Sequence, residues 1–163
     1  MDPSSSPGKK GPLVFLDYDQ AALDAAYDQA AYQSNIQQLR DRWASTSERT
    51  RARIGLPLRR AYGPSEIEGL DIFRTDAAAP APIFVFVHGG AWRAGLAKTY
   101  ASPAEMFIGA GAHYVVPDFA WVQDAGGSLL PIADQVCRAI AWVYRNAASF
   151  GGDPDRLYVG GHS

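Results

Sequence analysis

A single cysteine, Cys137, is present among 163 residues. An internal disulfide needs two cysteines and a thiolate zinc cluster needs several, so both are excluded. Long apolar runs are also missing. Runs such as Ile83 to Val87 are far short of the roughly 20 residues that cross a bilayer, so no membrane partner is expected. Charge of one sign is not in excess: 15 Lys and Arg stand against 17 Asp and Glu, for a net charge of −2. Binding to nucleic acid requires a basic surplus, and there is none. Lys9 and Lys10 are followed by no apolar stretch, so the N-terminus does not read as a secretory signal. A soluble, reducing compartment is the expectation, most simply the cytoplasm. Neither G-x-G-x-x-G nor G-x-x-x-x-G-K-[ST] occurs, which disfavours a nucleotide-binding domain.

What the chain does contain suits an ordinary globular core: 47% hydrophobic and 20% charged residues, with 16 Gly and 11 Pro for turns. Residues 1–12, with Pro, Ser, Gly and Lys, read as a flexible tail. Residues 13–56 read as an N-terminal helical segment, with helices over about Gln20–Gln33 and Asn35–Ile54. Tyr32, Ile36, Leu39 and Trp43 recur at helical spacing and mark the expected inner stripe. Five arginines lie between positions 40 and 53, and a solvated helix face accounts for them better than a nucleic-acid patch. The aromatics Tyr27, Tyr32 and Trp43 have two readings, packing against a sheet edge or a lid over a site.

Residues 57–163 read as alternating strands and helices. Leu58–Tyr62 and Ile67–Phe73 flank the turn residues Gly63, Pro64 and Ser65 and suit a hairpin. Ile83–Val87 suits a strand buried on both faces. A helix over Ser102–Ala110, a strand over His113–Val116, a long helix over Leu129–Phe150 and a strand over Arg156–Val159 follow. In the long helix Leu129, Ile132, Ala133, Val136, Cys137, Ile140 and Val143 form the expected inner face. Such alternation builds a mostly parallel sheet with helices on both faces, and function in such sheets sits at the carboxyl ends of strands.

Two loops lie at such ends. The first is His88-Gly89-Gly90-Ala91-Trp92. Adjacent glycines allow a sharp bend and leave N–H groups uncovered. The loop is then either a plain turn or a pair of donors for a negatively charged oxygen. The second is Gly161-His162-Ser163, the first half of G-x-S-x-G, in which a tight strand-to-helix turn lifts a serine hydroxyl above the sheet. Asp118, after the second buried strand, reads as a cap or turn residue near the cleft.

These segments, with Phe150-Gly151-Gly152-Asp153-Pro154 between them, resemble the N-terminal half of an α/β-hydrolase, most similar to the esterases and lipases with an HGG loop. Trp92 and the stretch Ile140–Asn146 resemble the arylformamidase (kynurenine formamidase) branch. The resemblance implies a serine hydrolase in which Ser163 attacks an ester or aryl formamide. Gly89, Gly90 and Ala91, with the residue after Ser163, would form the oxyanion hole, and Trp92 would line the pocket. It implies no metal or organic cofactor. It also implies a triad acid and base downstream of Ser163, either in a continuing chain or in a second chain that carries the C-terminal half. None of the chain's own histidines substitutes well: His88 braces the loop, His113 starts a buried strand, and His162 points differently from its neighbour. The competing expectations are a carboxylesterase for small esters and a non-catalytic binding protein of the same fold.

Overall fold

The computed structural model describes residues 11–78 and 80–163, so most of the expected tail, residues 1–10, lies outside the described residues. The chain divides into two compact units, residues 1–40 and 41–163. In the first, β1 (Leu13–Phe15) and β2 (Tyr18–Asp19) pair antiparallel, a hairpin where the sequence pointed only to helix. The α1 helix (Gln20–Tyr27) follows, its N-terminus capped by the Asp19 carboxylate, which accepts from the Ala22 N–H at 2.9 Å. Such a cap satisfies one of the orphan donors of the first turn. A single turn, α2 (Gln29–Tyr32), completes the helical part, so the expected helix over 20–33 is broken at Asp28.

The division falls inside α3 (Ile36–Ile54). The residues of the expected inner stripe stay largely exposed, and burial comes further along the same face. Leu39 and Trp43 are exposed, and the buried positions are Ser47 and Thr50. Small hydroxyl side chains let the helix approach another backbone closely and satisfy that backbone's polar groups. Ser47 Oγ donates to the Thr99 carbonyl at 2.7 Å and accepts from the Ser102 N–H at 3.1 Å. The arginines mostly stay solvated, as expected, although Arg51 donates to the Lys98 carbonyl and Arg53 pairs with Glu105 at 2.5 Å.

The second unit holds a five-stranded sheet in the order β3-β4-β6-β5-β7. Its strands are β3 (Leu58–Ala61), β4 (Gly69–Phe73), β5 (Ala81–Val87), β6 (His113–Pro117) and β7 (Gly152–Gly161). The expected hairpin is present as β3 and β4, and β4 also pairs antiparallel with β6. The strands β6, β5 and β7 run parallel, with β5 in the middle. Side chains of β5 alternate between two cores. Ile83 and Val85 meet Leu70, Ile72, Val115 and the α5 helix (Leu130–Asn146) on one face. Phe84 and Phe86 meet Phe73, Tyr114, Ala101 and the α4 helix (Ala104–Gly109) on the other. Helices therefore cover both faces, as α/β alternation requires.

Two local expectations are corrected. Cys137 is exposed, not internal, because α5 buries Ile132, Ala139 and Val143 and leaves the stripe through Cys137 facing out. The strand expected over Arg156–Val159 is longer and takes in the Gly-Asp-Pro segment before it. Gly152 already pairs with Ala81, and Leu157 pairs with Ile83, so β7 bulges through 153–156 where β5 has only Pro82.

A buried carboxylate ties the hairpin to α5. Glu68 is 2% exposed and forms an ion pair with Arg138, which also pairs with Asp134 one helical turn before it. Burial pushes the Glu68 carboxyl up, but the Ser65 N–H and hydroxyl and the Arg138 guanidinium outweigh it and hold the group below the usual range. A carboxyl with a depressed folded-state pKa adds stability above its unfolded pKa, and that contribution is lost as pH falls through the folded value. Replacing Arg138 with Met should raise the Glu68 pKa and move acid unfolding to higher pH. The loss at neutral pH should be about 1–2 kcal/mol, below the ~3–5 of a fully enclosed pair, because solvent screens Arg138. Circular dichroism melts across the carboxylate range measure both effects.

Candidate active site

Val87 and Gly161 are paired at the ends of the parallel strands β5 and β7. Parallel neighbours release their chains on the same edge of the sheet, so the two loops singled out in the sequence emerge side by side. The His162 N–H donates back to the Val87 carbonyl at 3.2 Å. A methyl group placed on Gly89 would stand 2.8 Å from the His162 carbonyl oxygen and 3.1 Å from Cβ of Ser163. Only a residue without a side chain permits that approach. One cavity of about 240 Å³ is lined by Gly89, Gly90, Ala91, Trp92, Phe119 and Ser163, with His88 and His162 also at its wall. Every site residue expected from the sequence therefore faces the same small space.

The backbone here is strained. Ala91, Trp92 and Ser163 have φ of 53°, 61° and 57°, the left-handed region that residues with a Cβ avoid. Each such residue costs on the order of 1–3 kcal/mol and persists only when its surroundings enforce it. They do so here. The Gly90 carbonyl accepts from the N–H groups of Arg93 and Ala94 at 3.0 and 3.1 Å. The Trp92 carbonyl accepts from the Val122 N–H at 2.7 Å.

The same bonds aim the amides. A trans peptide is planar, so its N–H points opposite to its C=O. The Gly89 carbonyl is held by the Tyr100 hydroxyl at 3.1 Å and by His88 Nδ1 at 2.9 Å, which turns the Gly90 N–H the other way. The doubly engaged Gly90 carbonyl does the same for the Ala91 N–H. Among the described residues no hydrogen bond occupies the N–H groups of Gly89, Gly90 or Ala91.

His88 braces this loop. Its ring is stacked between Tyr100 at 4.9 Å and Phe119 at 4.4 Å, and burial pushes its pKa down. A neutral imidazole with a proton on Nδ1 fits the bond to Gly89. His113 is buried as expected: its Nδ1 accepts from the Thr75 N–H at 3.2 Å, and its ring meets Phe150 edge-on. Asp118 is a structural anchor, accepting from the Ala97 N–H at 2.5 Å and pairing with Arg59 at 2.6 Å. Phe119, Tyr100 and Val122 lie in no local sequence motif, because their roles depend on contacts between distant parts of the chain. Among the described residues no cluster of His, Cys, Asp or Glu is arranged to hold a metal ion, and no helix is long and apolar enough to cross a membrane.

A parallel-centred sheet with helices on both faces, a double-glycine loop and a strand-end serine define the α/β-hydrolase fold. Within that fold the chain belongs to the BD-FAE family, which matches residues 70–163. Among curated proteins it is similar to Esterase LipQ of Mycobacterium tuberculosis, with 37% identity over 113 residues, 63% of this chain and 25% of LipQ. It is also similar to isoprenylcysteine alpha-carbonyl methylesterase ICME of Arabidopsis thaliana, with 31% identity over 102 residues, 63% of this chain and 21% of ICME. A solved Silicibacter structure superposes with a TM-score of 0.70 and 25% identity, covering 86% of this chain and 51% of that one. The chain thus spans about a quarter of the curated relatives and half of the solved one.

Proposed function

We propose that the chain carries the nucleophile and oxyanion half of a serine hydrolase site that cleaves small carboxylic esters. The observation that carries this reading is the approach of Gly89 to Ser163, which puts the serine and three unoccupied amides on the wall of one cavity. In this mechanism the Ser163 oxygen attacks the substrate carbonyl carbon while a base takes its proton. The carbonyl oxygen becomes negative and accepts from Gly90 and Ala91, with Gly89 and the residue after Ser163 as further donors. Removing one such donor typically costs on the order of 10²–10³ in rate. The alcohol leaves, and water then releases the acid from the acyl-enzyme.

The triad acid and base come from polypeptide beyond residues 1–163, in the same chain or a second one. His88 and His113 are held through Nδ1 by Gly89 and Thr75, the His162 ring packs against Trp43, and among the described residues no hydrogen bond joins any of the three to Ser163. Metal and organic cofactors have no role in this scheme.

Esters lead because the curated relatives are named as esterases. The aryl formamide reading rests on the HGG-x-W loop, and Trp92 and Phe119 offer it an aromatic wall. A fluorophosphonate probe on the complete protein should attach at Ser163, mapped by peptide mass. p-Nitrophenyl acetate should turn over faster than N-formylkynurenine. The reverse order would establish the formamide reading, and absence of labelling would leave a non-catalytic binding protein.

A further inference from the structure

We propose that Trp43, far from the site in sequence, is a positioning residue that holds the serine turn and the double-glycine loop in register. This rests on the serine-hydrolase reading and adds a residue to it. The indole stands edge-on to the His162 ring, with centroids 5.6 Å apart at 81°. It also meets the Tyr100 ring at 5.5 Å and 58°. His162 immediately precedes Ser163. Tyr100 donates to the Gly89 carbonyl at 3.1 Å and stacks on His88, which bonds the same carbonyl. One side chain therefore touches the residue before the nucleophile and the ring that sets the plane of the Gly89–Gly90 peptide.

The support beneath Trp43 is separate from the site. Ser47 lies one helical turn further along α3, on the same side of the helix. Its bonds to Thr99 and Ser102 fix the helix against the segment that carries Tyr100. The Arg51 guanidinium adds a bond to the Lys98 carbonyl. Trp43 itself remains 45% exposed. A large ring kept half in water contributes little as core. Among the described residues its two ring contacts both lead to the site, one through His162 and one through Tyr100.

Misplacing a reacting group by about 1 Å costs on the order of 10²-fold in rate. Trp43→Ala in the complete protein should lower kcat for p-nitrophenyl acetate roughly 10- to 100-fold, with KM changed less than about twofold. Fluorophosphonate labelling should slow by the same factor. Trp43→Phe should restore most of the rate, because a smaller ring still bridges both partners. Tyr100→Phe should show the same kcat-only pattern. The double variant should lose less than the product of the two single losses, since both act through the Gly89 carbonyl. Melting temperature should move little in Trp43→Ala.

Unchanged kcat and labelling in Trp43→Ala, with the wild type labelling normally, would overturn this proposal alone. So would a rise in KM without loss of kcat, which would make the ring a pocket wall. Equal loss in Trp43→Phe and Trp43→Ala, with a matching fall in melting temperature, would make it a packing residue. A wild type that never labels would remove the serine-hydrolase reading itself, and this proposal with it.

Discussion

Replacing Ser163 with alanine is expected to reduce ester hydrolysis by the complete protein by a factor on the order of 10⁶, the scale of removing a hydrolase nucleophile. The loss should fall on kcat, because the hydroxyl makes its decisive bond only as the reaction proceeds. Stability should hardly change. Ser163 is exposed, no hydrogen bond among the described residues engages its hydroxyl, and alanine meets the same backbone at φ 57°. Surface changes of this kind usually stay within about 0.5 kcal/mol. Steady-state kinetics and a thermal melt on the same preparation separate the two quantities. A variant that keeps more than about a hundredth of the rate would place the nucleophile elsewhere.

Replacing Gly90 with alanine is expected to damage both activity and folding. Gly90 has φ of 138°, which residues with a Cβ rarely adopt, and a methyl group there would lie 1.8 Å from the Ala94 carbonyl oxygen. That oxygen is backbone and cannot swing aside as a side chain would. The loop must open, and the bonds from Arg93 and Ala94 to the Gly90 carbonyl open with it. Those bonds aim the Ala91 amide, so kcat should fall at least 10²- to 10³-fold, as for loss of an oxyanion donor. Forced strain of roughly 1–3 kcal/mol should appear as lost stability in urea or thermal unfolding. Activity loss without destabilisation would mean that the loop adapts to a side chain, and the account of its rigidity would fail.

Much of the sheet was legible in the sequence because its signals are local. Ile83–Val87 is an uninterrupted β-forming run, and the hairpin turn carries its own Gly-Pro-Ser chemistry. The periodicity of α5 located the helix, but the choice between Cys137 and Ala139 for the interior depended on where the sheet lies. The bulge in β7 was illegible for a similar reason, since only pairing with Ala81 and Ile83 reveals it. For α3 the apolar spacing marked the right face but not the part of it that is buried, which lies further along at Ser47 and Thr50. Hydrophobic periodicity assumes that helices dock through apolar groups, and this one docks through Ser47 and Thr50.

The site divides along the same line. Residue types alone nominated Gly89, Gly90, Ala91, Trp92 and Ser163, because a glycine pair that frees amides and a serine after a strand are chemical statements written in consecutive residues. They could not bring the two loops together. That took the parallel pairing of β5 and β7, which delivers residues about seventy positions apart to one edge of the sheet. Nor could they show what holds the amides in place. Tyr100, Phe119 and Trp43 act through ring contacts across the fold, and such contacts arise only when the folded chain brings those side chains within a few ångströms of the loop.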